Sequence, residues 1–282
     1  MAEYKSTEYD PDKAPKNLEY VIYEKKGNVA YVTINRPEVY NALHTFVYVE
    51  LRSVWKDIQN DPSVYCAILT GAGDKAFCAG RDIKFLAEYQ AKGLRTPHED
   101  PQSPLFHWGG GGQPQDVTLE KPLIAAINGL AVGVGLSIVL QCQIRVMAED
   151  AWLGDQHTNV GRLGNPYEIY SELPHTTAAF LTLCNGRLTA EEALRQTVVN
   201  RVVPRGQLMA AAEEYAEMIC RNSPLAVQGA VRIYKLTKAF PASLVTYGAA
   251  LDRQIGESDD GAEGSRAFTE KRRPVWKQSQ LL

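Results

Sequence analysis

The chain has 282 residues, 45% of them hydrophobic and 22% charged, with a formal net charge of -3. That length suits one large domain or a domain with an appended part, and the weak negative charge gives no support for a nucleic-acid partner. No apolar run reaches the roughly 18 residues that a membrane span needs.

Residues 1–17 are polar and carry acids, which fits neither a secretory signal nor a transit peptide, so they read as a mobile lead-in. Tyr20 to Tyr23 and Val29 to Ile34 are β-rich runs around the turn residues Lys25-Lys26-Gly27-Asn28, a hairpin pattern. Asn35-Arg36-Pro37 stops it. From Asn41 to Gln59 apolar residues recur at helical spacing, and Val64 to Leu69 is a β run that ends in Thr70-Gly71-Ala72-Gly73. Residues 86–118 carry glycines 109 to 112 and prolines at 97, 101, 104 and 114, and read as a long, mobile loop, either a surface insertion or a lid.

Leu123 to Ile127 and Ile144 to Met147 are short apolar runs typical of strands buried on both faces, with a glycine-rich stretch and a helix, Leu136 to Gln143, between them. Trp152-Leu153 begins a short strand that runs towards His157. Thr189-Ala190-Glu191-Glu192 is a capping box. Gln207 to Arg221 is an amphipathic helix, and the tail from Ser223 is mostly helical. Strands that alternate with helices, followed by helices alone, predict an α/β core with a helical C-terminal region. The five cysteines, at 66, 78, 142, 184 and 220, form no CxxC pair and fit reduced thiols, several of them buried, in a cytoplasmic protein. The histidines show no metal-ligand spacing, so no metal is expected.

Two segments carry the chemistry. Lys75-Ala76-Phe77-Cys78-Ala79-Gly80-Arg81-Asp82-Ile83 follows a strand and has small residues where a ligand can approach the backbone. Ala126-Ile127-Asn128-Gly129-Leu130-Ala131-Val132-Gly133-Val134-Gly135-Leu136-Ser137 runs from a buried strand through a glycine-rich turn into a helix, whose first N–H groups favour negative charge. The dinucleotide fingerprint is not met, because Ile138 stands where its third glycine belongs.

Together these segments resemble the enoyl-CoA hydratase (crotonase) superfamily. The resemblance extends to Asn35-Arg36-Pro37 with Asn41-Ala42-Leu43, to Gly186-Arg187 with Thr189 to Leu194 and Val198 to Pro204, and to Ser258 to Lys277. It covers roughly residues 18–278. It implies a crotonase-like ββα spiral core over 18–205 and a helical region, 206–282, through which trimers or hexamers form. It also implies an acyl-CoA substrate, with coenzyme A as part of that substrate rather than a separate cofactor, and no membrane or nucleic-acid partner. In that family two backbone amides bind the thioester oxygen, and by the resemblance they fall on Ala79 and Val134. Gly80, Arg81, Asp82, Ile83, Gly133, Gly135 and Tyr167 fall around the CoA and acyl group.

The family's hydratases use two glutamates as acid and base. Here the matching positions are Ser137 and His157. An imidazole suits proton transfer near neutrality, and Asp155 could orient it if 155–157 is extended. His157 could equally be a hydrogen-bonded core histidine, and Ser137 a packing residue. Glu168 is a candidate replacement acid, although Asn165-Pro166-Tyr167-Glu168 also reads as a plain helix start. Tyr167 and Tyr170 could line an acyl pocket. Three functions stay open: a hydratase or lyase on an unusual cyclic or branched enoyl-CoA, a hydrolase that opens a β-keto ring with a histidine base, and a non-catalytic acyl-CoA binder.

Overall fold

The structure is a computed structural model that describes residues 17–92, 119–164, 166–237 and 242–276. It opens with the expected hairpin, β1 (Val21–Lys26) and β2 (Val29–Ile34), paired antiparallel from Val21↔Ile34 to Lys26↔Val29. The two lysines expected in the turn belong to the strand, and Gly27, at φ 57°, makes the reversal with Asn28. Next come α1 (Thr45–Asn60), β3 (Cys66–Gly71), β4 (Ala76–Cys78) and α2 (Ile83–Ala91). Helix α1 starts later than its apolar spacing predicts, because Leu43 is engaged in a parallel bridge with Arg81 and His44 caps the helix by accepting the Val47 N–H at 3.3 Å. Residues 86–91, expected in a loop, are helical; Asp82 starts α2 by accepting the Phe85 N–H at 3.0 Å. The rest of that expected loop, 93–118, lies outside the described residues.

The chain continues through β5 (Leu123–Ile127), β6 (Leu130–Val132), α3 (Val134–Gln141), β7 (Ile144–Ala148), β8 (Trp152–Gly154), α4 (Pro166–Glu172), α5 (His175–Cys184), β9 (Arg187–Thr189), α6 (Ala190–Arg195), β10 (Arg201–Val203), α7 (Leu208–Cys220), α8 (Pro224–Thr237), α9 (Ala242–Gly256) and α10 (Asp259–Thr269). The strands form a six-stranded sheet in the order β1-β2-β3-β5-β7-β10 and a four-stranded sheet in the order β4-β6-β8-β9. From β3 to β8 successive strands alternate between the sheets, and a helix follows each of the pairs β3/β4, β5/β6 and β7/β8. This is the ββα spiral that the sequence led one to expect.

The core lies between these layers. All of β5 is buried, so its sequence shows no alternation. Helix α7 lays Ala211, Ala212 and Ala216 across β3, β5 and β7, and its small side chains let the helix approach closely, so α7 belongs to the core layer. Arg145, itself buried, donates to the carbonyls of Val139, Leu140 and Cys142 at the end of α3 and pairs with Glu172 of α4 at 2.9 Å. It thereby satisfies carbonyls that a helix end leaves open. The capping box at Thr189 and Glu192 is formed. The cysteines are free thiols, and burial pushes Cys78 and Cys142 up to about 12. Among the described residues no helix is long and apolar enough to cross a membrane.

Candidate active site

Two buried asparagines build the frame of the site. Asn41, held at φ 56°, donates to the carbonyls of Ala72 at 3.0 Å and Ala76 at 2.8 Å, and accepts the Arg36 N–H at 2.9 Å. Asn128 donates to Gly71 at 2.8 Å, Gly73 at 2.8 Å and Ala76 at 3.1 Å, and accepts the Gly71 N–H at 3.1 Å. Both amides are thus satisfied by backbone, and both converge on the Ala76 carbonyl. They hold the start of β4 beside β6, with Ala76 opposite Leu130 and Cys78 opposite Ala131.

The segment after β4 therefore lies against the start of α3. Gly80 has φ 90°, and a Cβ there would stand 2.8 Å from the Val132 carbonyl oxygen and 3.4 Å from the Val134 nitrogen. A Cβ on Gly135 would overlap the Cys78 carbonyl. Only glycine permits either approach. Val134 is the first residue of α3, after Gly133 at φ 56°, so its N–H has no partner within the helix.

The Ala79 amide does not join it. That N–H donates to the Tyr40 carbonyl at 3.0 Å and is already used by the fold. The expectation for Ala79 is corrected on this ground. On either side of Arg81 the bridge to Leu43 is made by Leu43 N–H to the Gly80 carbonyl at 2.8 Å and Asp82 N–H to the Leu43 carbonyl at 2.9 Å. Among the described residues the Arg81 N–H has no protein acceptor, so Arg81 and Val134 are the pair of open amides beside Gly80.

His157 stands beside Gly133, at the start of α3. Its Nδ1 makes a short contact with Asp155 Oδ1, and Asp155 is 1% exposed. The other edge of the ring faces Gly133, whose Cβ, if present, would lie 3.4 Å from Cε1 and 3.6 Å from Nε2. Gly164, at φ 66°, is so close to the Nδ1 side that a Cβ there would overlap the ring. The imidazole is clamped between two glycines. The carboxylate favours the proton on Nδ1 and leaves Nε2 as the acceptor, aimed towards the start of α3. The route to this contact differs from the expected extended strand: β8 ends at Gly154, and His157 is helical at φ -63°, ψ -45°, at the head of a 3-10 turn, Thr158–Val160. The second Asp155 oxygen has no hydrogen-bond partner among the described residues.

The remaining expected residues divide. Ser137 is buried one turn beyond Val134 on α3, its N–H bonded to the Gly133 carbonyl at 3.0 Å. Glu168 is buried in the first turn of α4. Asp82 is occupied as the α2 cap and as the partner of Arg36 at 2.9 Å, which is a fold-building role. Ile83 begins α2, and the Arg81 side chain is exposed. Tyr170, expected to line a pocket, turns its hydroxyl to Thr182 Oγ1 at 3.2 Å on α5. Asn165 and the side chain of Tyr167 lie outside the described residues. Sequence reasoning missed Tyr40, Arg81 as a donor and Gly164, because each acts through backbone geometry rather than through a recognisable side chain.

Residues 24–279 match the family described as enoyl-CoA hydratase/isomerase. An (E)-benzylidenesuccinyl-CoA hydratase of Thauera aromatica is 34% identical over 261 residues, covering 91% of this chain and 98% of that protein. A carnitinyl-CoA dehydratase of Escherichia coli is 33% identical, covering 90% of this chain and 96% of that protein. The crystal structure of carnitinyl-CoA hydratase from Mycobacterium avium superposes with a TM-score of 0.81 at 33% identity, covering 93% of this chain and 100% of that one. With the ββα spiral and the paired backbone segments already in place, these matches make the chain a member of the enoyl-CoA hydratase/isomerase family, the crotonase superfamily.

Proposed function

We propose that the chain adds water reversibly to an α,β-unsaturated acyl-CoA, with Arg81 and Val134 supplying the amides that bind the thioester oxygen and His157 moving the proton. The observation that carries this reading is the placement of His157 Nε2 beside the Gly133–Val134 peptide while Asp155 holds Nδ1. Water gives a proton to Nε2 as its oxygen bonds to the β-carbon. The electron pair of the double bond moves into the thioester and is held as an enolate oxygen between the two amides. The imidazolium, steadied by Asp155, then returns its proton to the α-carbon. Amide donors aimed at such an oxygen contribute about 3 kcal/mol each. Coenzyme A enters only as part of the substrate.

The relatives are named for a hydratase and a dehydratase, which supports water addition and removal over hydrolytic ring opening. Burying Asp155 against His157 costs stability that passive binding does not require, which supports turnover. Both relatives' names carry an acyl group bulkier than a straight short chain, so we assign a branched or aryl-substituted enoyl-CoA here as well. Leu225, Ile233 and Leu236 on α8 are 81%, 60% and 65% exposed at helical spacing, which supports assembly through the C-terminal helices into the expected trimer or hexamer.

The test is turnover in heavy-oxygen water of crotonyl-CoA, (E)-benzylidenesuccinyl-CoA and carnitinyl-CoA, read by mass spectrometry. One labelled oxygen on the β-carbon, or loss of water from carnitinyl-CoA, is the expected result. Cleavage of a carbon–carbon bond, or binding of all three without turnover, overturns the reading.

A further inference from the structure

The clamp on His157 is itself held from a distant part of the chain. Gly164, which closes over the Nδ1 side of the ring, ends a short loop, 161–164, that carries two left-handed glycines, Gly161 and Gly164, both at φ 66°. Such a loop has little preference of its own for one conformation. Its first half is tied to the site by the Arg162 N–H on the His157 carbonyl at 3.0 Å. Its second half is tied elsewhere. The N–H groups of Leu163 and Gly164 both donate to Oδ1 of Asp252, at 2.9 Å and 3.2 Å, and Asp252 belongs to α9 in the C-terminal region. Helix α10 adds two backbone contacts to the same loop. A Cβ on Gly264 would stand 2.5 Å from the Val160 carbonyl carbon, and one on Gly161 would stand 2.6 Å from the Asp260 carbonyl oxygen.

We propose that Asp252 is a positioning residue for the His157–Asp155 pair. Its carboxylate fixes the Leu163 and Gly164 amides, holds Gly164 flat on the imidazole, and so keeps Nε2 aimed at the open amide of Val134. The C-terminal helices thereby set the aim of a side chain some ninety positions earlier, through two hydrogen bonds to one oxygen. Among the described residues the hydrogen bonds of Asp252 go to the loop, and it acts through the loop. The inference rests on the reading of His157 as the acid/base residue.

The test compares Asp252→Ala, Asp252→Asn and Asp252→Glu with the wild type in the full chain. Asparagine keeps an oxygen in the place of Oδ1; alanine removes it; glutamate keeps the charge but displaces the oxygen by one methylene. One arm uses no substrate. It follows the His157 Cε1–H resonance by NMR at fixed pH, assigned by its loss in His157→Gln. The resonance is expected to shift or broaden in the alanine and glutamate variants and to stay in place in the asparagine variant. The second arm measures steady-state kinetics on a thioester that the wild type turns over. There kcat is expected to fall about ten- to a hundredfold in Asp252→Ala, the scale of a misaimed group, while KM changes little and Asp252→Asn recovers most of the rate.

A folded Asp252→Ala protein with wild-type kcat and an unmoved His157 resonance overturns the proposal. So does a loss in Asp252→Asn equal to that in Asp252→Ala, since charge rather than the two hydrogen bonds would then matter. If alanine at 252 does not fold, Asp252→Glu carries the same comparison. The two readings fail separately. Full activity in His157→Ala sinks the acid/base role whatever Asp252 does, whereas an inactive His157→Ala beside an unaffected Asp252→Ala sinks the positioning role alone.

Discussion

Gly135 sits against the Cys78 carbonyl so closely that a single methyl group on Gly135 would overlap that oxygen. This contact joins the first turn of α3 to the end of β4 and sets how near the Val134 amide comes to the 79–81 segment. Gly135→Ala must push the two elements apart or strain both. We expect a stability loss at or above the upper end of the roughly 1–3 kcal/mol typical of overpacked cores, together with loss of turnover. Chemical denaturation and a steady-state assay on the same preparation check it. Wild-type activity in a folded Gly135→Ala protein removes the claim that this approach sets the amide pair.

Val134→Pro separates donor from fold. Proline is tolerated at the first position of a helix, where the missing N–H has no partner in any case. The thermal midpoint should therefore stay near that of the wild type. If the Val134 N–H binds the thioester oxygen, kcat should fall by about 10² to 10³. Unchanged kcat in the folded variant removes Val134 from the site.

Much of this fold was legible, and the reasons are physical. Leu123 to Ile127 reads as a doubly covered strand because all of its residues are apolar, and that is what β5 is. The capping box at Thr189 is a local pattern and survived unchanged. Strands β4 and β6 are only three residues long, too short for any period; β4 exists because β6 pairs with it, and β6 because β4 and β8 flank it. Helix α5, His175–Cys184, carries three threonines and little amphipathic pattern, so packing rather than propensity makes it a helix. At the site, the side chains Asp155 and His157 were legible. The donor pair was half legible, because the bond from Ala79 to the Tyr40 carbonyl joins residues far apart in sequence through backbone alone. Asp252 left no local mark, since its partners are the backbone of a loop on the far side of α4 to α8 in the chain.

His44 provides a pH dependence. It is 6% exposed, packed edge-on to Tyr20 at 4.5 Å and tilted on Phe85 at 4.6 Å, and it caps α1 through Nδ1. Burial, aided by the Arg36 charge, lowers it from 6.5 to about 4. The unfolded chain therefore binds the proton first as the solution is acidified. The stability from a neutral His44 is fully present above about pH 6.5 and is lost as pH falls through about 4, a change on the order of 3 kcal/mol at most. His44→Asn keeps an acceptor for the Val47 N–H and does not titrate. Urea midpoints at pH 7.5 and pH 5 should differ less in His44→Asn than in the wild type. Equal pH dependence in the two proteins would falsify the assignment.

The pairing of Asp155 with His157 makes the sharpest prediction. General-base help is worth about 10² to 10⁴ in rate, so His157→Ala should lower kcat by that much. His157→Gln should not restore it, because an amide can hold a water but cannot take its proton. Asp155→Asn should cost a comparable factor with the fold intact, since an amide opposite Nδ1 no longer selects the tautomer with Nε2 free. The two residues act as one unit, so the double variant should be little worse than His157→Ala alone. A purely structural histidine gives a different pattern: lowered thermal midpoints, unchanged kcat in the surviving folded fraction, and additive stability losses. Product formation and thermal unfolding of the three variants and the double variant discriminate between the two. If His157→Ala keeps more than about a third of the wild-type rate, the loss is smaller than any general base explains, and buried Glu168 on α4 becomes the group to vary next.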